Sequence, residues 1–188
     1  GVTGPVLRPL LAVDGVARLR VLLHPAAALA LWCVNLYVWH LPVAYEAALH
    51  HDVVHALEHA SFLAAGVVLW AAVLEPLPGP AWFTSGWKLG YLGAAQAAQV
   101  VLATVFVWSG RVFYETYATG APLEGLSPHT DQSLGGVVML AEATVVMAVA
   151  FSWTFFAWFR EDERRQQLLE DGASERVAAR AARYGRAP

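Results

Sequence analysis

The sequence predicts an all-α integral membrane protein, a bundle of about four transmembrane helices. Three observations carry that prediction. The 188 residues are 57% hydrophobic and 14% charged, with a mean hydropathy of +0.47, whereas about a quarter of a soluble domain is charged. Four apolar runs each hold roughly the 20 residues that cross a hydrocarbon core about 30 Å thick. None of the runs shows the period-two alternation of a membrane β-strand.

The chain divides in order. Residues 1–21 mix Arg8, Arg18 and Arg20 with the breakers Pro5, Pro9 and Gly15, as expected of a cytoplasmic or interfacial lead-in. The first span is expected at 22–41, closed by Pro42, and the second at 55–74, closed by Glu75-Pro76-Leu77-Pro78-Gly79-Pro80. The third is expected at 89–109 and the fourth at 134–159. Residues 160–188 form a charged tail, and Glu161-Asp162-Glu163-Arg164-Arg165 reads as a solvated helix face. A docking helix for a partner or for anionic lipid is the alternative. The chain starts at Gly1 and reads as a fragment or a processed form. The one cysteine, Cys33, lies in an apolar run, so no disulfide framework or CxxC motif is expected.

Basic residues set the expected orientation. With four spans, Arg8, Arg18, Arg20, Lys88 and the seven arginines from Arg160 to Arg186 share one side, and only Arg111 lies on the other. Positive-inside makes the tail cytoplasmic. Loops 42–54 and 110–133 then face outward. Six of the seven histidines gather at that outer face, and His24 alone lies on the inner side.

The densest chemistry is His50-His51-Asp52-Val53-Val54-His55-Ala56-Leu57-Glu58-His59, with four histidines and two acids in ten residues. His55 and His59 stand i,i+4 on a helix, so both imidazoles reach one side, where they can bind one metal ion. Neutral imidazole suits copper, zinc and iron. A helix N-terminus favours the neutral, ligating form over imidazolium. Asp52 is a candidate N-cap, and Glu58 can orient a ligand by hydrogen bonding. His40 is the best third ligand because it closes the neighbouring helix at the same depth. Asp131 is either a further ligand or the cap of the fourth helix. Met139, two turns deeper, is a soft donor suited to Cu(I) or simply core packing. Tyr114 is a candidate hydrogen-bond donor to the site. His50 and His51 read as loop residues at the rim. His55-Ala56-Leu57-Glu58-His59 also matches H-x-x-E-H, a weak pointer to a zinc hydrolase.

Four polar residues fall inside the apolar runs. Glu142 costs about 2.5–3.5 kcal/mol if charged at mid-helix, so it is expected to face the bundle. Gln96 and Gln99 are expected to bond across helices, Asn35 is the fourth, and Gly135 and Gly136 are expected to permit close helix approach.

His24-Pro25, Trp39-His40-Leu41-Pro42 with Tyr45, Glu58-His59 with Phe62 and Gly66, Tyr114-x-x-Tyr117, and Asp131-Gln132-x-x-Gly135-Gly136-x-x-Met139 occur in that order over residues 22–145. Together they resemble the CtaG family, bacterial membrane proteins linked to assembly of caa3-type cytochrome c oxidase. The resemblance implies a non-catalytic, multi-pass chaperone of the bacterial plasma membrane. It implies copper as cargo, for which His40, His55, His59, Asp131 and Met139 are the candidate ligands. It implies membrane lipid and oxidase subunits of the respiratory chain as partners, with no nucleic acid. Family members usually have about seven helices, with a histidine-rich one upstream of the first span here. Tyr114-Glu115 and Leu140 stand where Tyr-Pro and a Trp after the Met are usual. The alternatives are a haem-binding protein, with His40 and His59 as axial ligands, and a metal-free structural subunit of a respiratory complex.

Overall fold

A computed structural model describes residues 24–76, 79–120 and 125–185. The lead-in expected at 1–21 and the start of the first span lie outside them. Every regular element among the described residues is a helix. Helix α1 (Pro25–Trp39) opens on a proline, whose fixed φ suits the first helical position. Helix α2 (Pro42–His50) follows after two residues and is turned 70° from α1. The sequence suggested a loop here. Pro42 forbids continuation of α1 by holding Leu41 extended (φ −67°, ψ 137°), and it then opens a new helix.

Helix α3 (Asp52–Leu74) has His51 as its N-cap, so Asp52 sits in the first turn rather than at the cap. Its carboxylate still faces the positive end of the helix dipole. Helix α4 spans Ser85–Trp108, and the short α5 spans Glu115–Thr119. Helix α6 (Pro128–Glu170) has 43 residues and continues well past the apolar stretch into the charged one. Its cap is Ser127, whose hydroxyl accepts the Thr130 N–H at 3.1 Å; Asp131 lies one turn inside. Helix α7 (Glu175–Tyr184) folds back through Gly172, whose φ of +88° suits glycine.

Helices α3, α4 and α6 are each long and apolar enough to cross a membrane, and α1 with α2 makes a fourth span if the bent pair counts as one. Trp39 Nε1 donates to Ser61 Oγ at 2.7 Å, joining α1 to α3. Two buried clusters fill the bundle. Leu69, Phe83, Tyr91, Leu92 and Met147 lie toward α7; Leu36, Leu102, Phe106 and Tyr114 lie toward the histidines. Outside them stands a sheath of exposed apolar residues such as Leu63, Val138, Val145 and Val149, as a lipid-facing surface requires.

The α4–α6 seam runs on small residues. A Cβ on Gly136 would lie 2.9 Å from the Ala103 carbonyl oxygen and 2.9 Å from Val107 Cγ2, whereas one on Gly135 would meet nothing within 4 Å. The expected close approach therefore belongs to Gly136. Gly136→Val is expected to lower stability by about 1–3 kcal/mol by forcing two backbones apart. Gly135→Ala is expected to leave it unchanged or slightly raised. Thermal midpoints of the detergent-solubilised variants check both.

This seam also corrects the reading of Glu142. Helix α6 turns Gly136, Ala143, Met147 and Ala150 inward. Glu142 is one residue, or about 100°, away from Ala143, and it is exposed on the outer surface. The cross-helix bonds expected of Gln96 and Gln99 are not made among the described residues, and Gln96 Oε1 is buried without a partner.

The tail is docked rather than wholly solvated. Ala178 and Ala181 pack inward, Arg165 meets Glu175 at 2.7 Å, and Glu161 accepts the Ser85 hydroxyl.

Candidate functional site

At one end of the bundle meet the C-termini of α1 and α4, the N-termini of α3 and α6, and the short helices α2 and α5. This histidine end is organised by hydrogen bonds that tie loops to helices. His40 closes α1 and is half-buried, with rings of Phe62 and Phe106 at 6.2 and 5.8 Å. Its Nδ1 lies 2.7 Å from the Leu36 carbonyl oxygen. A carbonyl can only accept, so this contact places the proton on Nδ1 and leaves the Nε2 lone pair for another partner.

His59 repeats the arrangement one helix away, with Nδ1 donating to the His55 carbonyl at 3.2 Å. The His55 and His59 rings stack at 4.5 Å with 13° between their planes. Both are exposed, and neither Nε2 has a hydrogen-bond partner among the described residues. The i,i+4 geometry read from the sequence is thus present, with donor nitrogens accessible from outside the bundle.

Glu58, about 100° round α3 from His59, is half-buried. Its charge acts on Tyr114, so it belongs to the inner side of α3 rather than to the histidine pair. Tyr114 is buried and donates its hydroxyl to the His40 carbonyl at 3.1 Å. Its ring stacks on Tyr45 at 3.9 Å, and the Tyr45 and Tyr117 hydroxyls lie 3.4 Å apart. Burial, reinforced by Tyr117, Glu58 and Glu46, raises the Tyr114 phenol above its ordinary range, so it stays protonated and donating. Tyr114→Phe is expected to lower stability by about 0.5–1.5 kcal/mol, because it leaves the stack intact but strips a bond from the residue closing α1. The thermal midpoint against wild type checks this.

Sequence reasoning missed the clamp between α2 and α5. Glu46 accepts from the Thr116 hydroxyl and from its N–H at 3.0 Å, and His50 Nε2 lies 3.2 Å from Thr116 Oγ1 and 3.5 Å from Glu46. The i,i+4 pair Glu46/His50 was its only local signal.

Asp131 is half-buried in the first turn of α6. The adjacent Gln132 accepts the Phe113 N–H at 2.8 Å and donates to the Arg111 carbonyl at 2.9 Å, holding the 109–114 segment to α6. Met139 packs against the Leu36, Leu102, Phe106 and Tyr114 cluster. His55 and His59 thus face outward, while His40 and Met139 lie among aromatic and aliphatic side chains inside. Among the described residues, no three His, Cys, Asp or Glu side chains come together in a group that could hold a metal ion.

With the geometry in view, comparison with known proteins is specific. A family model described as cytochrome c oxidase caa3 assembly factor matches residues 4–161, which include every candidate residue above. No curated protein and no solved structure matches. The chain belongs to the cytochrome c oxidase caa3 assembly factor (Caa3_CtaG) family.

Proposed function

We propose that the protein is a non-catalytic chaperone that takes up copper at its histidine end and passes it to a caa3-type oxidase. The observation that carries this is the exposed pair His55 and His59, one helical turn apart with rings stacked at 4.5 Å and both Nε2 atoms without partners among the described residues. Imidazole nitrogen is a good copper donor. Two accessible donors, with no third acidic, cysteine or histidine ligand gathered beside them among the described residues, suit an ion meant to leave. A third donor can then come from the acceptor, so that transfer proceeds by ligand replacement. The chain's other candidate donors, His40, Asp131 and Met139 with Glu58 and Tyr114 supporting them, stand apart from this pair among the described residues.

The direction of transfer follows from charge. A four-span topology puts eleven of the twelve Lys and Arg residues of the sequence on the tail side, which supports a cytoplasmic tail in a bacterial plasma membrane and a histidine end facing outward. Metal analysis of the purified full chain after Cu(I) loading tests the reading; a chain that takes up no copper contradicts it.

A further inference from the structure

Two concavities meet at the opposite end of the bundle. The first is an open groove of about 480 Å³ whose walls include Trp70, Leu74, Val145, Val149 and Trp153. Every residue along it is apolar. The second is a cavity of about 490 Å³ where α3, α4, α6 and α7 come together, and its lining includes Lys88, Arg160, Arg164 and Arg183. Leu74 and Trp153 line both, so the apolar groove opens directly into the basic cavity.

The charges in the cavity are unevenly committed. Its two acids are Glu75 and Glu161. Glu75 is taken by Lys88 at 3.1 Å and by Arg183, and Glu161 accepts the Ser85 hydroxyl. Arg160 and Arg164 are exposed and have no ion-pair partner among the described residues. They stand i,i+4 on α6, so their guanidinium groups reach the same side. Immediately before them, Trp153, Phe155, Phe156, Trp158 and Phe159 are exposed, the aromatic belt that marks the headgroup level of a bilayer. Two free arginines therefore sit at headgroup depth, at the mouth of an apolar groove running toward the membrane interior.

We infer that this composite cleft is a binding site for one anionic phospholipid. Its phosphate sits between Arg160 and Arg164, and an acyl chain lies along the Trp70–Val149 groove. Planar guanidinium groups bind phosphate oxygens in pairs, and basic pockets between membrane helices select anionic headgroups. A zwitterionic lipid fills the groove equally well but brings no net charge to a cavity holding two more cations than anions. The occupant joins α3 to α6, two helices that make few direct contacts with each other.

Native mass spectrometry of the full chain, loaded with phosphatidylglycerol or phosphatidylcholine of identical acyl chains, tests the site. The wild type is expected to retain phosphatidylglycerol at least about tenfold better. Arg160→Gln with Arg164→Gln is expected to lower that retention about twenty-five-fold, about fivefold for each arginine. Helicity measured by circular dichroism is expected to be unchanged, since neither side chain has a partner among the described residues. Arg176→Gln with Arg180→Gln, on the exposed side of α7 and outside the cleft, is expected to have no effect. Equal retention of the two lipids would overturn the proposal. So would undiminished retention in the Arg160/Arg164 variant, or an equal loss in the Arg176/Arg180 variant. Displacement of the lipid by millimolar inorganic phosphate would also overturn it, by assigning the arginines to a free anion.

Discussion

Glu75→Ala is expected to destabilise the protein by about 3–5 kcal/mol, the cost of leaving buried charges without their partner. Glu75 ends α3 in the left-handed conformation (φ 48°) and points its carboxylate into the bundle's tail end. Lys88 reaches it from α4 at 3.1 Å, and Arg183 Nε and Nη2 reach its two oxygens from α7. The side chains of Glu75, Lys88 and Arg183 are only 9%, 11% and 9% exposed. Arg183 also donates to the Pro80 and Phe83 carbonyls, so it holds the α3–α4 connection as well. One substitution thus strands two buried cations and unfastens α7. Glu75→Gln keeps the shape and some accepting capacity and is expected to fall between alanine and wild type. Arg183→Ala is expected to cost less, because Glu75 keeps Lys88, while making α7 the first segment cut by protease. Thermal midpoints combined with limited proteolysis read all three. A loss of stability below about 1 kcal/mol for Glu75→Ala would contradict the clamp.

That clamp shows where the sequence stops being legible. Glu75 and Arg183 are 108 positions apart, and nothing local to either announces the other. The charged tail reads as a solvated face because its own i,i+3 and i,i+4 pairs suffice to explain it. Only the turn at Gly172 brings Arg165 to Glu175 and Arg183 to Glu75. By contrast, α3, α4 and α6 were legible because hydrophobic length is itself the constraint a bilayer imposes. Gly136 was legible for the same kind of reason, since a small residue in a membrane helix has few uses other than close packing. Glu142 was misread because cost alone argued for an inward direction, whereas the α4–α6 seam fixes the rotation of α6 and carries Glu142 outward with it. Helix α2 was hidden by Pro42, which ends one helix and begins another with equal ease.

At the histidine end, the sequence located the cluster and its i,i+4 pair. It could not show that His40 turns inward between Phe62 and Phe106 while His55 and His59 turn out. Helix phase decides that, and tertiary contacts such as the Tyr114 bond to His40 set the phase. The Glu46–Thr116 contact, 70 positions apart, was invisible for the same reason as the Glu75 clamp.

His55→Ala with His59→Ala is expected to abolish copper binding. Both substitutions remove exposed side chains, so stability is expected to change by no more than about 0.5 kcal/mol. Loss of copper would then report coordination, not unfolding. Substitutions that merely support a ligand cost about 10–100-fold in metal affinity, so removing both ligand nitrogens is expected to exceed about a hundredfold. His50→Ala with His51→Ala is the matched control. It removes as many imidazoles from the same stretch, but His50 is engaged with Thr116 and Glu46, and His51 stands at the N-cap position of α3, outside the i,i+4 pair. That variant is expected to keep its copper.

The most direct measurement is the copper content of the purified full chain after Cu(I) loading and desalting, compared across wild type and these two double variants. Copper retained by wild type and by the His50/His51 variant, and lost from the His55/His59 variant, is the result expected. Equal copper in all three, or none in the wild type, would contradict a copper-handling site on α3.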